Sequence, residues 1–272
     1  MRDVLFGFDS AWKDKNPGAI SAYVLERGQY ATFHPPRPAR FGEAVHFIRE
    51  AATEADYVLI AIDQPTIVPN YDRLRPVDRV AGGLVGKLGG GVQPARKGGA
   101  GVLMFGESAP IWSFLAAVSA KQNPIKACSA TAGRFLMEVF PALALPAIVP
   151  EIWQRRRGAK YNPRNPKFNL CDWKIVASGV ANFARRSLGA GALADWLEKQ
   201  ALIERPRKAD QDLLDAAICL AIALAWRKGP RRDTLLIGDE PTGYIATIVS
   251  PETREVLVTA AEKRGFDVDQ VW

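Results

Sequence analysis

The spacing of apolar residues sorts the first sixty positions into alternating elements. Val4-Leu-Phe-Gly-Phe-Asp9 reads as a buried strand within residues 3–9. Residues 19–25 and 29–33 read as two more, joined at residues 26–29 by a hairpin-type turn containing Gly28. Pro35-Pro36-Arg37-Pro38 is expected to break the chain there. Phe41, Val45, Ile48 and Ala52 fall at helical spacing over residues 41–55, and residues 57–62 form a fourth strand ending at Asp63-Gln-Pro65. Three strands in a meander, then a helix and another strand, give an α/β order with an antiparallel start.

Further along, residues 110–120 read as helix, and Arg134-Phe-Leu-Met-Glu-Val-Phe140 as a strand stopped by Pro141. Residues 210–228 form the most apolar helix of the chain. Leu235 to Pro251 supplies a strand or hairpin that closes the fold. Two stretches interrupt this order. Residues 81–101 carry nine glycines together with Lys87, Arg96 and Lys97, which predicts a mobile surface loop or substrate-facing lid. A phosphate-binding loop of the Walker type is excluded, because Ala81 and Leu88 stand where that pattern needs Gly and Ser or Thr. Residues 150–208, rich in Arg and Trp, read as a mostly helical insertion in a single domain spanning residues 1–272.

Composition adds three constraints. With 272 residues, 48% of them hydrophobic, the chain can bury a core without staples. Three widely spaced cysteines, Cys128, Cys171 and Cys219, show no zinc spacing, and the histidines are His34 and His46. A reduced, cytoplasmic setting fits them. No apolar run of about 18 residues is evident, so no membrane span and no membrane partner are expected. The net charge of +7 permits a polyanionic partner. Between residues 150 and 208, Arg155, Arg156, Arg157, Lys160, Arg164 and Lys167, interleaved with Trp153, Tyr161 and Trp173, suit nucleic-acid backbone contact plus stacking. A solvated helical surface is the plainer reading of the same residues.

The chemistry lies in acids. Asp212 and Asp215 stand one turn apart on one face of the apolar helix, and Asp9 and Asp63 stand at the ends of apolar strands. Buried carboxylates are costly unless a cation compensates them. Together with Glu138, these five residues are candidate ligands for Mg²⁺ or Mn²⁺, hard ions that prefer oxygen. Each acid also has an ordinary explanation: Asp9 ends a strand, Asp63 caps a turn, Glu138 faces outward, and Asp212 complements a helix dipole. Asp215, flanked by Ala and Ile, is the hardest to explain that way.

Phe6-Gly-Phe-Asp9 with Trp12, Ile62-Asp-Gln-Pro65, Glu138-Val-Phe-Pro-Ala142, Asp212-Leu-Leu-Asp-Ala216 and Gly238-Asp-Glu-Pro-Thr-Gly-Tyr-Ile245 with Pro251 occur in that order. The ordered set resembles domain-of-unknown-function family 429, described as predicted nucleases of the ribonuclease H-like fold. The resemblance implies a five-stranded mixed sheet, strands 1–3 antiparallel, flanked by helices. The acid order is also similar to that of Holliday-junction resolvases, with Asp9, Asp63, Asp212 and Asp215 as the catalytic set. It departs from them in having Asp63 where glutamate is usual and in offering Glu138 without a counterpart.

The function these features favour is metal-dependent hydrolysis of DNA or RNA by two ions. Two alternatives remain open. A binding module could keep the fold without the chemistry. An actin-like phosphotransferase is disfavoured, because residues 10–18 offer only Gly18 for a phosphate turn.

Overall fold

The computed structural model describes residues 1–269. Its centre is a five-stranded mixed sheet in the order β3-β2-β1-β4-β5, formed by β1 (Arg2–Asp9), β2 (Gly18–Glu26), β3 (Gln29–Ala39), β4 (Tyr57–Ile62) and β5 (Gly133–Glu138). β2 runs antiparallel to both β1 and β3, while β1, β4 and β5 are mutually parallel. The expected α/β class, with a five-stranded mixed sheet and an antiparallel start, is therefore what the chain adopts. The prolines expected to end the third strand lie inside it: Pro38 pairs with Ala19 and the strand runs on to Ala39. β3 is an edge strand, where a residue without an N–H costs no ladder bond on the open side.

Both faces of the sheet are covered. Odd positions of β1, β4 and β5 (Leu5, Leu59, Met137) pack under α10 (Lys208–Lys228), together with α8 (Leu170–Phe183) and α9 (Gly191–Ala201). Even positions (Phe6, Phe8, Ile60, Ile62, Leu136) pack against α1 (Phe41–Ala51) and α4 (Pro110–Val118). The helices of the 150–208 stretch thus share one core with the sheet. Residues 155–169, which carry the cations expected at a nucleic-acid surface, lie outside the helices.

α10 lies directly on β1 because of one missing side chain. A Cβ at Gly7 would stand 2.3 Å from the Ala216 carbonyl oxygen and 2.2 Å from the Leu220 nitrogen. Ser21 on the neighbouring strand donates its hydroxyl to the same Ala216 carbonyl, at 3.2 Å. Leu214 to Trp226 are all buried, so this helix is a central strut, held by burial rather than by an amphipathic stripe.

The glycine-rich stretch departs from expectation. Its first third belongs to α2 (Pro76–Lys87), whose buried stripe is Val77, Val80, Ala81, Leu84 and Val85. Gly83 faces α11 (Pro251–Glu262), where a Cβ would meet Ala260 at 3.6 Å, an ordinary van der Waals contact. The glycines are divided between this helix and the irregular segment at 88–98. β6 (Thr234–Asp239) and β7 (Gly243–Ile248) form the expected closing hairpin, with α11 following it.

Among the described residues, four α-helices of eight residues or fewer lie between the large elements. They are α3 (Val102–Phe105), α5 (Pro124–Ser129), α6 (Pro141–Ile148) and α7 (Pro150–Gln154). By length and composition alone Gly99–Val118 would suffice to cross a membrane. The chain breaks between α3 and α4, however, and Ile111, Phe114 and Val118 are buried against the sheet.

Candidate functional site

Parallel strands end level with one another, and here the ends carry acids. Phe8 pairs with Ile62 and Ile62 with Glu138, so Asp9 and Asp63 follow one position beyond the same rung. The Asp63 amide continues the ladder to the Phe8 carbonyl at 2.9 Å. Side chains alternate between faces along a strand. Asp9, in phase with Leu5 and Gly7, therefore points toward α10, as does Asp63, in phase with Leu59 and Ala61. The loops after the two strands are tied together: Ser10 donates its hydroxyl to the Gln64 side chain, and the Trp12 indole donates to the Asp63 carbonyl at 2.8 Å.

The N-terminal end of α10 brings the second pair of acids to the same place. Asp9 is held well above the usual carboxylate range by burial, then by the charges of Asp215, Asp63 and Asp212, with Lys208 opposing them. Asp63 is pushed up by burial, then by Asp215 and Glu138, again against Lys208. Burial raises Asp215 to about 6, although Lys208 and two hydrogen bonds act in the other direction. Those bonds come from Tyr161, whose hydroxyl donates to Oδ1 at 2.7 Å, and from Gln211, whose amide donates to Oδ2 at 2.9 Å. The four aspartates thus form one interacting cluster.

Lys208 is the cation that this cluster already contains. It is ion-paired with Asp212 one turn along α10. Burial pulls its ammonium down, and Asp215, Asp9 and Asp212 outweigh that and leave it above its ordinary value. Among the described residues no three His, Cys, Asp or Glu side chains are arranged to hold one metal ion. Lys208 and Tyr161 take part of the space and charge such a group would use. The donor set nevertheless fits a hard divalent ion: four carboxyls face one ammonium. The carbonyl oxygen of Gln211, buried beside Asp215, also has no hydrogen-bond partner among the described residues.

Glu138, expected as a fifth ligand, stands apart from the cluster. Its position on β5 is in phase with Leu136, so it leaves the sheet on the face opposite Asp63. There the buried Arg75 guanidinium binds both of its oxygens, at 2.6 and 2.8 Å, and the Thr66 amide adds a bond at 3.1 Å. Asp78 completes this group, pairing with Arg75 at 2.7 Å. A carboxylate engaged on both oxygens by a buried guanidinium is part of the scaffold, and Glu138 is set aside as a metal ligand.

The cations expected at a nucleic-acid surface divide in the same way. Arg155 pairs with Glu151 and Asp172, and the Lys160 ammonium donates to the Gly89 carbonyl at 2.8 Å. Arg156, Arg164 and Lys167 are exposed and make no ion pair among the described residues. The segment carrying them reaches the acid cluster through Tyr161. It is pinned by Asp172, which accepts from the Arg157 guanidinium and the Lys160 amide.

Two participants were recognisable only in hindsight. Lys208 and Gln211 each lie four residues before an acid they contact, a spacing that pairs side chains on a helix. Arg75 and Asp78 are likewise spaced to pair at the start of α2, whereas Tyr161 carries no such signal, since a loop brings it in.

A model of the family described as "Protein of unknown function (DUF429)" matches residues 13–241. No curated protein and no solved structure matches the chain.

Proposed function

The chain belongs to the DUF429 family, and we propose that it is a metal-dependent nuclease of ribonuclease H-like architecture that hydrolyses phosphodiester bonds of DNA or RNA in the cytoplasm. One observation carries this reading: Asp9, Asp63, Asp212 and Asp215, remote in sequence, converge where β1, β4 and α10 meet, and burial with the neighbouring negative charge raises the proton affinity of Asp9, Asp63 and Asp215. Such a site is costly to build for stability alone. The strand order β3-β2-β1-β4-β5, with acids on the first and fourth strands and on a late helix, supports the architecture.

Mg²⁺ or Mn²⁺ held by Asp9, Asp63, Asp212 and Asp215 would activate water and neutralise charge on the phosphodiester oxygens. The chain's own residues do the rest. The two strand ends hold Asp9 and Asp63 rigid, and the Tyr161 hydroxyl and Gln211 amide fix the orientation of Asp215. Arg156, Arg164 and Lys167 offer free positive charge to a phosphate backbone. The test is cleavage of branched and single-stranded DNA and RNA by the purified chain with Mg²⁺ or Mn²⁺. Asp9→Asn and Asp215→Asn should each lower the rate by roughly a hundredfold or more, and unaltered rates in both would overturn the proposal.

The position of Lys208 favours a second reading, a binding module in which that ammonium serves as permanent counter-ion. Mn²⁺ titration of Lys208→Met separates the two. A nuclease binds Mn²⁺ more tightly once the competing cation is removed, whereas a binding module takes up no metal in either form.

A further inference from the structure

Next to the acid cluster, on the far side of Asp63, is a cavity of about 170 Å³. Trp12, Val92 and Phe140 supply its apolar walls, and Arg75, Asp78 and Glu138 its polar ones. The volume is roughly half the smallest pocket that takes a drug-sized ligand, so it suits a single ring system. Trp12 is fixed in place by its bond to the Asp63 carbonyl and by an edge contact with Phe105, ring centroids 5.6 Å apart. The wall of the cavity and one acid of the cluster are thus parts of the same rigid turn.

The polar chemistry of the cavity is one-sided. Arg75 has no donor to spare: Nε binds Asp78, Nη2 binds Asp78 and Glu138, and Nη1 binds Glu138 and the Ile67 carbonyl. It offers nothing to a phosphate. A carboxylate accepts about four hydrogen bonds. Glu138 accepts three, from Arg75 twice and the Thr66 amide, and Asp78 accepts two from Arg75, the Nε proton being shared between its oxygens. By that count Glu138 has room for about one further donor and Asp78 for about two. A flat ligand with hydrogen-bond donors on one edge complements these walls, and an anion is repelled by them.

We propose that this cavity receives one nucleobase bearing an exocyclic amino group, unstacked from a strand whose adjoining phosphodiester lies at the aspartate cluster. The proposal rests on the nuclease reading and narrows its substrate to strands presenting cytosine, adenine or guanine at that position. Cytosine and adenine carry amino donors where thymine carries a carbonyl acceptor, and an acceptor facing a carboxylate leaves both groups unpaired. Drawing a base out of its stack costs least in single-stranded or mispaired segments, which gives the pocket its route of entry.

Nucleoside binding to the metal-free full chain, followed by saturation-transfer NMR, tests this without any need for cleavage. Cytidine and adenosine should bind, with thymidine and uridine weaker by about tenfold or more. Gly91→Phe places a ring at the mouth of the cavity. A Cβ at Gly91 meets nothing within 4 Å, so this variant should keep its melting temperature and lose cytidine binding. Trp12→Ala should weaken cytidine and adenosine alike.

Absence of cytidine binding, equal binding of thymidine, equal binding of the diamine putrescine, or undiminished binding by Gly91→Phe would each overturn the inference. None of these results bears on the nuclease reading, which stands or falls on the Asp9→Asn and Asp215→Asn cleavage rates.

Discussion

Asp215 lies at the point where stability and function pull in opposite directions. Its carboxyl is held at about 6 against an ordinary 3.8, so the folded state binds the proton more tightly than the unfolded chain does. That advantage is complete below about pH 4 and is lost as the pH rises through about 6. Two units correspond to about 3 kcal/mol. Asp9 and Asp63 shift in the same direction. In metal-free buffer, then, Asp215→Asn should raise the melting temperature at pH 8, although in Mg²⁺ the same variant loses cleavage. At pH 4 the variant and the parent should melt together. Saturating Mn²⁺ should stabilise the parent and leave Asp215→Asn nearly unmoved. Thermal melts at the two pH values, with and without the ion, check all three expectations.

At the scale of elements, the acids were legible one at a time and their grouping only in part. Asp9 and Asp63 end apolar strands, and Asp212 and Asp215 share a helix face, which the spacing shows. What hid the exclusion of Glu138 is that β5 is buried on both faces, so its apolar run carries no alternation from which to read its facing. Phe135 and Leu136 look alike in sequence and point to opposite cores. The short helices were missed because six or eight residues give no period to count. Proline at the first helical position marks α5, α6, α7 and α11. Pro141, read as the end of a strand, is also the start of a helix.

The contact between β1 and α10 is what holds the two acid pairs together. Gly7→Ala forces a methyl group into the backbone of α10, and overpacking of this kind costs about 1–3 kcal/mol or more. Urea unfolding should show that loss. Because the helix is pushed away from Asp9, metal affinity should fall in molecules that remain folded.

For the molecule as a whole, charge is distributed by task. Negative groups gather at one end of the sheet, and unpaired cations stand on the 155–169 segment that Tyr161 ties to them. A polyanion can be drawn in by the second and presented to the first. Replacing Arg156, Arg164 and Lys167 together with alanine should reduce the slope of log affinity against log salt by roughly two to three, as fluorescence anisotropy with labelled single strands will show. A change of less than one would place the phosphate contacts elsewhere. The fold class was readable from the order of its elements. The loops that complete the site were not, since nothing in the local pattern of residues 155–169 says that Tyr161 reaches Asp215 across 54 positions.

The strand that runs through Pro35, Pro36 and Pro38 has a bearing on handling the protein. An open flank of a sheet invites a second molecule to zip onto it, the usual beginning of fibrous precipitation, and an edge strand interrupted by prolines makes a poor template for that. Replacing the exposed Pro35 and Pro38 with valine or threonine would leave the buried Pro36 in place, and turbidity on prolonged incubation at high concentration would report how much protection they confer.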